Sequence, residues 1–325
     1  METGAPPPRR RTGAALLGRR GLLRRRFGTG LAALHSADRP RVATLTRRLT
    51  PRGLALLLLA PALVAVGVLF LLPLGRLVSI ATGLPDPTLD AFRDLVGTAG
   101  FGDVLLRTIR VTALVTLVCV LIGFPIAYLM SRSSPRMKAI VAILVILPFW
   151  TSILVRNYAW IYLLQRRGIV NGLLMDLGLI SSPLDIIYNE LGVIIAMSNA
   201  LLPFMVLPIF VALEGQDRSL FEASQSLGAR PGRTFLDVTL PLSLSGIVAG
   251  SLIVFATGLG FYVTPALLGG GRVLLAATFI TKEIEVTLNW PLAAAASLIL
   301  LATVVALMAA YARLVGIDRL AGSKP

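Results

Sequence analysis

The chain is poor in charge. Asp, Glu, Lys and Arg make up 14% of its 325 residues, about half the roughly 25% usual for a soluble domain. Cysteine and histidine occur once each, as Cys119 and His35. A single cysteine builds neither a disulfide framework nor a thiolate metal site. Cys119 lies inside an apolar run and reads as a small buried hydrophobe. A single histidine in a basic tail supplies no H-E-x-x-H zinc site. Lysine is scarce too: Lys138, Lys282 and Lys324 follow Met137, Thr281 and Ser323. A phosphate-cradling loop needs Gly-Lys followed by Ser or Thr, and no lysine here follows a glycine. ATPase chemistry of that kind is excluded from the chain, and no catalytic residue, metal or cofactor is expected in it.

Apolar residues are what the sequence has in excess, at 56% with a mean hydropathy of +0.82. Several apolar runs approach the roughly 20 residues that a helix needs to cross a bilayer. An all-α integral membrane fold fits both facts. Six spans are expected, at 54–72, 108–130, 139–164, 190–213, 243–264 and 291–312. The run at 273–280 is too short to cross. The first run reads as an anchor rather than a cleaved secretory signal. Gly246 and Gly250 form a GxxxG pair at the start of the fifth span, a pattern that lets helices approach closely. Packing within the chain is its expected use.

The formal charge of +15 invites a nucleic-acid reading, but its location argues against one. Thirteen arginines precede the first apolar run, opposed only by Glu2 and Asp38. The basicity belongs to an arm, 1–52, expected to be largely disordered; a transit peptide or a misassigned start codon are the alternatives. The span-bearing domain is expected over 53–315, with a short tail at 316–325. Placing the N-terminus in the cytoplasm puts 22 Lys and Arg residues inside and 6 outside, in keeping with the positive-inside rule.

The loop between the fourth and fifth spans, 214–242, then lies in the cytoplasm. Ser219 and Glu222 have capping-box spacing, so a helix is expected from about Leu220. Gly228 suits its C-terminal stop. Pro231 suits the first turn of a second short helix, and Pro241 marks the return to the membrane. Leu220, Phe221, Ser224 and Leu227 would share one compact face of the first helix. Such a face suits docking into a groove on a partner, or lying back on its own bundle.

This loop resembles the E-A-A-x3-G-x9-I-x-L-P signature of ABC importer permeases of the binding-protein-dependent (MetI-like) family. Here it is Glu222-Ala223-Ser224, then Gly228, then Val238, Leu240 and Pro241, with every spacing kept. Serine replaces the third alanine and valine the isoleucine. The segments 148–160 (PFWTSILVRNYAW), 201–208 (LLPFMVLP) and 260–270 (GFYVTPALLGG) resemble the spermidine/putrescine type within that family. The resemblance implies a six-helix permease bundle in a bacterial inner membrane. It also implies a coupling helix seated on a separate cytoplasmic ATPase, through Glu222, Ala223, Ser224 and Gly228, with Leu240 and Pro241 as supporting geometry. A second permease subunit, two ATPase subunits and an extracytoplasmic solute-binding protein complete the implied machine. Its solute would be a polyamine or a similar small cation, with other small solutes as the alternative.

Charged and polar residues at membrane depth are candidates for a solute pathway. Arg156, Tyr158 and Trp160 in the third span, Glu190 at the start of the fourth and Tyr262 in the 260–270 segment are the residues singled out. An interfacial anchor is the competing role for the first three. Asp185, Glu283 and Glu285 are further carboxylates on the same side. A secondary transporter would show paired repeats and intramembrane ion-coupling residues, and neither is evident.

Overall fold

The computed structural model describes residues 51–97 and 100–315. The basic arm and the tail expected from the sequence lie outside these residues, apart from Pro51 and Arg52. Among the described residues the secondary structure is helical, with no strand. The described residues fall into two units, divided between Leu72 and Pro73.

The helices follow the apolar runs. α1 is Pro51–Thr82, α2 Asp90–Gly97, α3 Phe101–Arg132, α4 Pro135–Trp150, α5 Ile153–Leu164 and α6 Ile169–Asp176. α7 is Glu190–Glu214, α8 Arg218–Ser226, α9 Pro231–Thr234, α10 Leu240–Leu259, α11 Val263–Leu268, α12 Ala276–Glu285 and α13 Trp290–Val315. A five-residue π-turn, Phe235–Thr239, joins α9 to α10. Five of these segments are long and apolar enough to cross a bilayer, and the bent pair beginning with α4 makes up to six.

In the first unit, the 58–72 stretch of α1 exposes leucine, valine and phenylalanine on all sides. A helix apolar all round is stable where lipid, not water, surrounds it. The second unit is organised about α7. Its residues Val193, Met197, Leu201, Met205 and Ile209 are fully buried at intervals of four, one face of a 3.6-residue repeat. α3 answers with Val111, Val115, Cys119, Ala127 and Met130. A smaller core gathers Leu95, Phe101, Ala276, Phe279 and Ala295, with the Phe101 and Phe279 rings 5.1 Å apart.

Small residues set the closeness of α10 to α7. A Cβ on Gly246 would stand 2.6 Å from the Pro208 carbonyl oxygen and 2.9 Å from the Ile209 Cα. One on Gly250 would meet the Met205 Sδ at 2.8 Å. The GxxxG pair therefore packs within the chain.

Residues 139–164, expected as one continuous helix, are two. The chain breaks after Trp150 and turns by 101° between Pro135–Trp150 and Ile153–Asp176. The Pro148 carbonyl oxygen accepts from the Thr151 hydroxyl at 2.7 Å, the Thr151 amide at 3.3 Å and an Arg156 guanidinium nitrogen at 2.8 Å. These donors satisfy carbonyl capacity that the ended helix no longer uses.

Candidate functional site

The 214–242 loop folds as two short helices about a glycine turn. The cap of α8 is Asp217, not Ser219: its carboxylate accepts from the Ser219 amide at 2.9 Å. That amide, together with the Ser219 side chain, holds the Asp217 carboxyl below its ordinary value. Either residue type caps well, so the local pattern leaves a two-residue choice. α8 ends in an αL turn at Gly228, φ +82°, where the Gly228 amide bonds Gln225 O and the Ala229 amide bonds Ser224 O. Pro231 opens α9, and Pro241 lies in the first turn of α10. The Gln216 side chain donates to Thr239 O at 3.2 Å and closes the loop on itself.

The single face expected from Leu220, Phe221, Ser224 and Leu227 is divided. Ser224 and Thr234 share a hydroxyl hydrogen bond of 2.9 Å that ties α8 to α9. Phe221 is half-buried under the Arg132 guanidinium, 4.4 Å from its ring centroid. Leu220 and Leu227 turn outward, Leu227 with 89% of its surface exposed. Glu222 and Ala223 are exposed beside them. Leu227, Gly228, Ala229, Arg230 and Arg233 line an open hollow of about 510 Å³. The loop thus presents an apolar knob, a glycine turn and two arginines.

At the opposite end of the bundle the singled-out residues do not converge on one site. Glu190 is engaged by Arg110 at 2.6 Å and by Arg107 at 3.5 Å. Arg156 reaches back to Pro148 O and holds the break between α4 and α5. Tyr158 is exposed. Trp160 Nε1 donates to Asn199 Oδ1 at 3.3 Å and links α5 to α7. Tyr262 lines a cavity of about 440 Å³ with Thr278, Lys282 and Glu285. Asp185 pairs with Arg166 at 3.4 Å. Glu283 is buried and accepts from the Thr287 hydroxyl at 2.6 Å.

Sequence reasoning passed over Arg132, Lys138 and Thr234. Arg132 and Lys138 counted only toward orientation, yet Arg132 covers Phe221 and Lys138 pairs with Glu214 at 2.6 Å. Asn157, beside Arg156 in the 148–160 segment, is buried in α5, accepts from the Thr264 hydroxyl at 3.0 Å and joins α5 to α11.

Comparison with known proteins bears on the whole assembly. Residues 119–316 match the family described as "Binding-protein-dependent transport system inner membrane component". The spermidine/putrescine transport system permease protein PotB of Haemophilus influenzae is 38% identical over 213 residues, 66% of this chain and 74% of that protein. The inner membrane ABC transporter permease protein YdcU of Escherichia coli is 35% identical over 250 residues, 73% of this chain and 79% of that protein. A chain of the bacterial alginate ABC transporter, solved with its alginate pentasaccharide-bound periplasmic protein, superposes with a TM-score of 0.66 at 18% identity. That match covers 80% of this chain and 93% of that one, a likeness of fold. The chain therefore belongs to the binding-protein-dependent transport system inner membrane component family and is a multi-pass permease subunit of an ABC importer.

Proposed function

We propose that the 214–242 loop is the docking surface for a separate ATPase chain, with α8 as the coupling helix. The observation that carries this reading is the outward knob of Leu220 and Leu227 beside the Gly228 turn. Water penalises an apolar knob on a polar loop, and a partner groove relieves that penalty. Glu222 and Ala223 flank the knob, while Ser224, Leu240 and Pro241 hold its frame. ATP hydrolysis belongs to the partner, because no lysine of this chain stands in a phosphate loop. Docking places α8 in the cytoplasm, and with it the N-terminus, in keeping with the Lys and Arg balance.

The remaining parts of the machine are a second permease subunit, which completes the translocation path, and an extracytoplasmic protein that delivers the solute. Likeness to PotB supports a polyamine as that solute. A second reading, a less cationic small solute, is favoured by Arg107 and Arg110, which outnumber the Glu190 carboxylate they surround. Titrating the cognate binding protein with spermidine, putrescine and neutral or anionic solutes separates the two. Saturable polyamine binding supports the first; binding confined to anions or sugars overturns it. For docking, Leu227→Asp is expected to reduce ATPase retention on the purified permease at least about tenfold. Undiminished retention would remove α8 from the interface.

A further inference from the structure

Two cavities lie beneath α8. One, of about 250 Å³, is lined by Ser131, Ser133, Glu214 and Gln216 among others. The second, of about 170 Å³, is lined by Tyr128, Gln225, Thr234 and Phe235 among others. Arg132 and Phe221 line both, so this pair stands as a pillar between them. The guanidinium carbon lies 4.4 Å from the Phe221 centroid and 5.5 Å from the Tyr128 centroid. Both distances lie within the reach of a cation–π contact. Arg132 makes no ion pair among the described residues, and the neighbouring Glu214 is taken by Lys138.

The contact continues into α3. Phe124, Tyr128 and Arg132 are spaced by four and share one face. Phe235 stands edge-on to Tyr128 at 5.5 Å and to Phe124 at 5.8 Å. By contrast, the Ser224–Thr234 and Gln216–Thr239 hydrogen bonds join parts of the loop to one another. They stiffen the loop and do not reach α3. A displacement passes through packed groups and is absorbed by empty space.

From this arrangement we propose that Arg132 is a positioning residue for coupling: its guanidinium, held between Phe221 and Tyr128, carries movement of α8 into α3. The proposal rests on the reading of α8 as the coupling helix. A cation at the end of α3 would also suit the helix dipole, and lysine would serve that role equally. A lysine ammonium is also drawn to a ring face, but as a compact point charge it lacks the broad planar group that a guanidinium lays between two rings, so Arg132→Lys separates the two roles.

The test uses the permease–ATPase complex in nanodiscs, with buried Cys119 replaced by Ala and spin labels at Leu121 on α3 and Val211 on α7. The probe is ATP with vanadate, and the readout is the label-to-label distance distribution. The parent complex is expected to shift between its nucleotide-free and trapped states. Arg132→Met, Arg132→Lys and Phe221→Leu are each expected to retain bound ATPase. Each is expected to reduce the shifted population about fivefold, in line with a cation–π contact. The Arg132→Met/Phe221→Leu double variant is expected to be no worse than either single one, as for two halves of one contact. An unshifted parent, a wild-type response from Arg132→Lys, an additive double variant, or loss of bound ATPase from Arg132→Lys would overturn the proposal. Leu227→Asp is measured alongside. If it keeps its ATPase, the reading of α8 itself fails; if it releases ATPase while the Arg132 variants respond normally, only the pillar falls.

Discussion

Gly228 turns the chain at φ +82° with open space where a Cβ would stand. The limit there is backbone conformation rather than crowding: a β-branched side chain at positive φ costs on the order of 1–2 kcal/mol. Gly228→Val is therefore expected to disorder the end of α8 without unfolding the bundle. Circular dichroism of the purified chain should keep its helical signal while protease cleavage near 228 rises. Asp217 gives a pH signature in the same loop. Its carboxyl is held below the ordinary value by the Ser219 amide, so the charged form is the one the fold stabilises. That stabilisation is present above the unfolded value of about 3.9 and is lost as pH falls through the lower folded value. A spin label at Gln225 should become more mobile over that acid range, and Asp217→Asn, which still accepts a hydrogen bond, should flatten the response. Arg156 belongs at this scale too. Thr151 shares its acceptor, so Arg156→Met is expected to cost only about 1 kcal/mol of thermal stability. A complete loss of folded protein in detergent melts would contradict its part as one of several donors to Pro148 O.

At the scale of elements, the contact between α7 and α10 depends on the absence of side chains. A methyl group on Gly246 would stand 2.6 Å from a backbone oxygen, and such overpacking costs about 1–3 kcal/mol. Gly246→Ala should lower the melting temperature in detergent, whereas Gly232→Ala, at a position with no atom within 4 Å, should change it little. Elements were legible in the sequence to the degree that their causes are local. Apolar length announced α3, α7, α10 and α13; glycine and proline announced the two helices of the loop. Tertiary contacts are not written locally. The face of α8 read as one because Leu220, Phe221, Ser224 and Leu227 lie close on a helical wheel. Arg132, from a helix 89 positions earlier, and Thr234 divide it. The break between α4 and α5 escaped notice because hydropathy measures apolar content and not direction. Glu190 looked like a free carboxylate because nothing near it in sequence reveals Arg107 and Arg110, 83 and 80 positions away.

At the scale of the whole molecule, the function proposed for the loop assigns ATP hydrolysis to a separate chain, whose work would reach this permease through a surface. The architecture suits that proposal. Within the second unit α3 and α10 bury themselves against α7, and a short polar loop with an apolar knob stands between α7 and α10. The central claim is that this loop engages the motor, and its most direct test is transport-coupled ATP hydrolysis. The permease is reconstituted in liposomes with the ATPase, second permease subunit (identical or not) and loaded binding protein that the proposal calls for, as wild type and as Glu222→Ala and Gly228→Val. The account predicts that both variants insert normally, bind less ATPase and lose most of the hydrolysis that the binding protein stimulates. Wild-type assembly and stimulated hydrolysis in both would contradict it.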